Sequence, residues 1–120
     1  MRKENKESAE LAKLVSEALD EKNAIDLKVL NLKNIDTAVS DYFIICNSKN
    51  KPHANALMDI VLEYAHNNGY SRPINIEGEQ NAQWILIDFF DVVVQIFSED
   101  SRKFYNLENL WADAKFEKLV

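Results

Sequence analysis

The sequence predicts an α/β (α+β) domain, a mixed β-sheet with helices packed mainly on one side. Three observations lead there. Two stretches repeat apolar residues at helical spacing. Strand-like runs alternate with them. Finally, Trp84 to Phe97 alternates about a central Asp88-Phe89-Phe90-Asp91, the pattern of a hairpin.

In chain order, Leu11, Leu14, Val15, Ala18 and Leu19 form one buried helical stripe. Ile25 to Leu32 reads as a strand, with Leu27 and Val29 on one side and Asp26 and Lys28 on the other. Asn31 to Ser40 is polar and turn-like. Asp41 to Cys46 is apolar on both faces, which predicts a central strand covered on both sides. A second helix starts near Asn50 as N-cap, with Pro52 in its first turn. Its stripe is Ala54, Leu57, Met58, Val61, Leu62 and Ala65, and Asn68-Gly69 closes it in the left-handed conformation. Pro73 introduces a short strand, Ile74 to Glu77, suited to a sheet edge.

For the hairpin, an even connection sets Ile87 opposite Val92 and Ile85 opposite Val94. Ile85, Ile87, Val92, Val94 and Ile96 then share one aliphatic face, the core face. The other face carries Trp84, Leu86, Asp88, Asp91, Val93, Gln95 and Phe97. An odd loop would break this sorting. Beyond it, Ser98 or Ser101 is placed to cap a helical turn, and Asn106 to cap Leu107–Trp111. Residues 115–120 read as a loosely held tail on a single domain spanning 1–120, with its core at about 8–114.

At 120 residues the chain is long enough to bury one core. Two glycines and two prolines leave no room for a linker or low-complexity tract. The single cysteine, Cys46, has no partner for an internal disulfide and reads as a core residue. Neither a signal-peptide pattern nor a run of about 18 apolar residues occurs, so a cytoplasmic protein without membrane contact is expected. The net charge of −6, with lysines interleaved among glutamates, argues against nucleic acid as the main contact. It favours a basic partner through interactions that salt weakens.

Few residues invite catalysis. His53 and His66 lie on one helix, about 20 Å apart at 1.5 Å per residue, too far to share a metal. Gly69 and Gly78 are isolated, so no phosphate-cradling loop exists. No cofactor, metal ligand or catalytic residue is expected. Asp88 and Asp91, with Glu77, are the residues an enzyme reading would use, as metal-holding carboxylates for nucleotidyl or phosphoryl transfer. Aspartates also form turns, the plainer reading. Trp84 has two readings as well. It anchors a partner on an open sheet face, or a terminal helix bearing Trp111 buries it.

Taken in order, several segments resemble the ribosomal silencing factor, or Iojap-like, family. They are Asp41-Tyr42-Phe43-Ile44-Ile45-Cys46, Ile76-Glu77-Gly78, Trp84-Ile85-Leu86-Ile87-Asp88 and Asp91-Val92-Val93-Val94. Arg102-Lys103-Phe104-Tyr105-Asn106-Leu107-Glu108 and Leu110-Trp111-Ala112-Asp113-Ala114 complete the set. The resemblance implies a nucleotidyltransferase-like fold without catalytic equipment. It also implies binding to a large-subunit ribosomal protein at the intersubunit face, which blocks small-subunit joining and represses translation. Organelle relatives also assist large-subunit assembly. Carried onto this chain, the partner-binding residues are Trp84, Leu86, Asp88, Phe90, Asp91, Val93, Gln95, Arg102 and Tyr105. The chain departs from the family pattern at Phe90 (usually glycine), Gln95 (usually histidine) and Gln83 (often basic), all beside this surface. A homodimer closed through the sheet is a third reading, because alternating apolar residues on an edge strand invite self-pairing.

Overall fold

The computed structural model describes residues 6–35, 40–101 and 115–117. Helix α1 spans Lys6–Glu21. Leu11, Val15, Ala18 and Leu19 of its stripe are buried, and Leu14 stands half-buried at the margin. Ser8 and Ser16 are buried on the same side, where their hydroxyls need partners. Ser16 Oγ donates to Ala12 O at 2.8 Å, and Ser8 Oγ donates to the Asp41 carboxylate at 2.8 Å. The second bond ties the first turn of α1 to the start of the central strand. Helix N-termini favour such a negative charge.

Strand β1 (Ile25–Asn31) runs antiparallel to β2 (Tyr42–Ser48), with an irregularity between Ile25 and Lys28 where Asp26 takes φ 52°. Helix α2 spans Lys51–Asn67. Asn50 caps it as expected, its side-chain oxygen accepting from His53 N at 2.9 Å. Gly69, at φ 83°, follows, and Tyr70 N donates back to Ala65 O. His53, too far from His66 to share a metal, bridges two segments instead. Its Nδ1 accepts from Lys49 N at 2.9 Å, so Nε2 carries the proton and donates to Lys22 O at 2.8 Å. The ring thereby joins the end of α1 to the entry of α2.

The remaining strands are β3 (Asn75–Glu77), β4 (Trp84–Asp88), β5 (Val92–Ser98) and β6 (Lys115–Glu117). They complete a six-stranded sheet in the order β3-β4-β5-β2-β1-β6. Among the described residues only β2 and β5 pair in parallel, from Tyr42 opposite Val92 to Ser48 opposite Ser98. Such pairing needs a long crossover, which α2 and the β3–β4 segment supply. Lys115–Glu117, expected within a loose tail, instead pairs with β1 at the sheet edge. Ser98 does cap the turn that follows it, accepting from Ser101 N at 3.3 Å. The expected helix at 107–111, with Trp111, lies outside the described residues.

Both helices pack on one face of the sheet. Leu11, Val15 and Leu19 from α1 and Leu57 and Val61 from α2 meet Ile44, Cys46, Ile85, Ile87, Val94 and Ile96, all buried. The aliphatic face read from the hairpin is therefore the core face. A smaller cluster forms on the other side from Leu30, Leu32, Ile45 and Phe97, with Ile35, Phe43 and Trp84 packed against it. This confirms the two-sided burial expected of Asp41–Cys46. It also corrects the expectation for Val93 and Gln95. They do not share an open surface; they are 7% and 3% exposed. The reason is position, since β5 lies between β4 and β2 in the middle of the sheet.

The hairpin register needs a second correction. Ile87 faces Val94 and Ile85 faces Ile96, two residues on from the expected pairing. An even shift preserves parity, so the sorting of faces survives. The chain reverses late because backbone bonds fix it around Phe90. Phe89 N donates to Val92 O at 2.9 Å, and Asp91 N donates to Phe89 O at 3.1 Å across Phe90, which takes φ 80°. This is a γ-turn of the strained, positive-φ kind. Asp88 Oδ1 accepts from Phe90 N at 2.7 Å, Ser40 Oγ donates to Phe90 O at 2.8 Å, and Asp91 O accepts from Asp41 N and Tyr42 N.

Relief of this strain is measurable. A left-handed residue with a Cβ costs about 1–2 kcal/mol, partly offset by the freedom glycine adds to the unfolded chain. Phe90→Gly should therefore raise unfolding stability by about 1 kcal/mol in urea titration. A loss of stability would show that the ring makes an internal contact that outweighs the strain.

Candidate protein-docking site

Trp84 opens β4, and its backbone position explains its exposure. Strand β3 pairs with Leu86 to Asp88 and not with Trp84, so among the described residues the sheet ends at β4 itself there. Alternation turns the side chain away from the helices, beside Phe97 on β5. The indole lies 5.1 Å from the Phe97 ring at an interplanar angle of 25°. Its Nε1 donates to Gln95 Oε1 at 3.0 Å. Stacking and hydrogen bond together fix the ring while leaving it half-buried rather than sealed. The buried Gln95 thus orients the site from beneath instead of touching a partner.

Gly78 sets the backbone of the same corner. It holds φ 84°, and a Cβ there would lie 2.0 Å from Trp84 O. Only a residue without a side chain allows the β3–β4 connection to pass this close. The connection closes with Ala82 N donating to Gly78 O at 2.9 Å. Gln83 fastens the far end, its Oε1 accepting from Ser98 Oγ at 2.9 Å and from Ser101 Oγ at 3.2 Å.

The residues expected to form one surface fall into two groups. Trp84 and Leu86 are half-buried on the face opposite the helices, above buried Val93 and Gln95. Phe90 and Asp91 lie beyond the other end of β4, past the Asp88–Val93 pair. Trp84 and Asp88 are four residues apart on β4, about 13 Å at ~3.3 Å per residue. Phe90 is 60% exposed. Arg102 and Tyr105 lie outside the described residues.

The carboxylates perform structural work. Asp88 accepts from Phe90 N through its side chain and from Ile74 N through its carbonyl at 2.7 Å, and the Glu77 carboxylate accepts from the Asn75 side chain. Among the described residues, no three His, Cys, Asp or Glu side chains come together as a metal site. No helix among them is long and apolar enough to cross a membrane. Two features escaped sequence reasoning. Ile74, expected as the first residue of the strand after Pro73, instead precedes β3 and is 67% exposed. The phenol of Tyr70 is pushed above its usual range by burial, then by Glu10 and Glu7. The single available signal for Ile74 was Pro73, which already marked an edge.

Fold and site define an α+β protein whose candidate contact is an indole-bearing sheet corner. The chain belongs to the ribosomal silencing factor family, since the model of "ribosomal silencing factor during starvation" matches residues 5–119. The ribosomal silencing factor of Bacillus subtilis is 37% identical over 109 residues, covering 91% of each chain. A crystal structure from Bacillus halodurans aligns with a TM-score of 0.78 at 34% identity, covering 92% of this chain and 98% of that one. Another, from Chromobacterium violaceum, gives 0.81 at 27% identity, covering 87% and 85%. A more distant relative, 29% identical over 82% of this chain and 44% of its own length, is the mouse protein "mitochondrial assembly of ribosomal large subunit protein 1".

The Gly78 contact yields a direct prediction. Gly78→Ala should destabilise the fold by more than about 2 kcal/mol, from steric overlap plus the left-handed backbone. It should also move the Trp84 indole N–H resonance. An alanine variant with parental stability and an unmoved indole signal would contradict the proposed close approach.

Proposed function

We propose that this protein represses translation by docking the Trp84 corner of its sheet on a protein of the large ribosomal subunit at the intersubunit face. Its volume then blocks the small subunit from joining. The observation that carries this reading is the half-buried indole held by Gln95 and Phe97 at the end of β4. A ring fixed before binding loses little entropy on binding, and tryptophan is enriched among interface anchors. Leu86, two residues along the same face, extends the apolar contact. Family membership supplies the ribosome, and the mouse relative's name points to the large subunit.

Charge supports a protein partner on the ribosome over direct contact with its RNA. A chain at −6 is attracted to basic polypeptide and repelled by phosphates. The same reading places the protein in the compartment where ribosomes assemble and initiate, the cytoplasm. A role in large-subunit assembly uses the same surface, because a factor docked there also shields an unfinished intersubunit face. Arg102 and Tyr105 remain candidate contributors on the strength of the family resemblance.

Co-sedimentation with purified large subunits tests the proposal. Trp84→Ala should weaken association by at least about 30-fold, the equivalent of roughly 2 kcal/mol for an anchor tryptophan. It should equally lose inhibition of subunit joining, and parental binding should weaken as salt rises. If the folded Trp84→Ala protein co-sediments as well as the parent, the docking site lies elsewhere.

A further inference from the structure

We propose that the cleft between the end of α2 and β3 binds a small organic monocarboxylate with an aromatic or branched apolar body. The cleft holds about 280 Å³, close to the ~300 Å³ at which sites for small-molecule ligands begin. Leu62 and Ala65 of α2, Pro73, Ile76 of β3 and Phe89 give it apolar walls. Hydrocarbon that leaves water against them is stabilised by the area it buries. Because α2 lines it, the cleft opens on the helix-bearing side of the sheet, away from the Trp84 indole. The site therefore stands or falls independently of the docking reading.

Three side-chain donors line the same cleft, His66, Tyr70 and Arg72, while no Asp or Glu among the described residues does. Among those residues, none of the three side chains has a hydrogen-bond or ion-pair partner. A carboxylate answers this set. Its two oxygens accept from the Arg72 guanidinium in parallel, with lone pairs left for the phenol and the imidazole. Other small ligands fit less well. An alcohol forfeits the charge, and an amine meets Arg72 as a like charge. The ammonium of a free amino acid finds no carboxylate in the cleft. Inorganic phosphate leaves the apolar walls in water.

Three features oppose an anion, and each is limited. The last carbonyls of a helix carry partial negative charge, but those of Tyr64, Ala65 and His66 accept from the N–H groups of Asn68, Gly69 and Tyr70. The chain as a whole is at −6. Salt of about 0.1 M screens that repulsion beyond about 10 Å. Glu7 and Asp91 stand in a smaller adjoining cavity and not in this one. They close that cavity to an anion and leave the larger one open.

The test is NMR titration of the isotope-labelled parent protein with hydrocinnamate, and with phenylpropanol, phenylpropylamine and phenylalanine as comparators. The acid should move the amides of His66, Tyr70, Arg72 and Ile76 with a Kd of roughly 1 mM or below. It should bind at least about tenfold more tightly than any comparator. Arg72→Gln, at an exposed position, should bring the acid down to the affinity of the alcohol and leave the alcohol unchanged. Ser71→Trp, which carries an indole into the cleft, should abolish binding of both. Circular dichroism verifies the fold of each variant. Trp84→Ala should bind the acid as the parent does. Equal affinity for acid and alcohol, an acid preference that survives Arg72→Gln, or no amide shift at about 10 mM acid would overturn the inference. So would equal shifts from inorganic phosphate. Tighter binding of a peptide ending in phenylalanine would also overturn it, by making a polypeptide C-terminus the occupant.

Discussion

The parity of the β4–β5 hairpin is the constraint on which the rest depends. Because side chains alternate along a strand, the place where the chain reverses decides whether Ile85, Ile87, Val94 and Ile96 meet the helices or the solvent. The reversal is held by bonds from two separate segments, Asp88 within the hairpin and Ser40, Asp41 and Tyr42 at the entry to β2. A one-residue slip would remove the aliphatic face from α1 and α2 and turn the indole of Trp84 into the core. Fold and candidate function are therefore set by the same turn, and the strain at Phe90 is the accompanying penalty.

The parallel pairing of β2 and β5 is the second structural decision. It places both strands in the middle of the sheet, with one face under the helices and the other bearing the smaller cluster of Leu30, Leu32, Ile45 and Phe97. Phe97 thereby becomes a fixed floor for Trp84. Gln95, polar and almost fully buried, is tolerated there because its oxygen accepts the indole proton. The departure from the family's usual histidine at this position is thus compatible with an oriented tryptophan.

Much of this was legible in the sequence where the signal is local. The stripes of α1 and α2 follow the helical period, Asn50 and Gly69 mark the ends of α2, and hairpin alternation placed Ile85 and Val94 in the core. The missing pieces depend on distant partners. The two-residue offset in register reflects bonds from Ser40 and Asp41, some fifty positions before the turn. The burial of Val93 and Gln95 follows from β2 lying beside β5, a pairing that no spacing between neighbours reveals. The bridging role of His53 likewise needs Lys22 and Lys49 brought together around it. As a result, residues expected on one surface fall at the two ends of β4, a supported indole at one and a strained aromatic at the other.

The central claim is that the sheet face bearing Trp84, and not the helical face, meets the large subunit. A photoreactive benzoylphenylalanine at Leu86 addresses it directly, compared with the same group at Glu63 on the exposed side of α2. On irradiation with purified large subunits, position 86 should crosslink to a ribosomal protein and position 63 should remain silent. Crosslinking from position 63 with none from position 86 would show that the helices face the ribosome and would contradict the account.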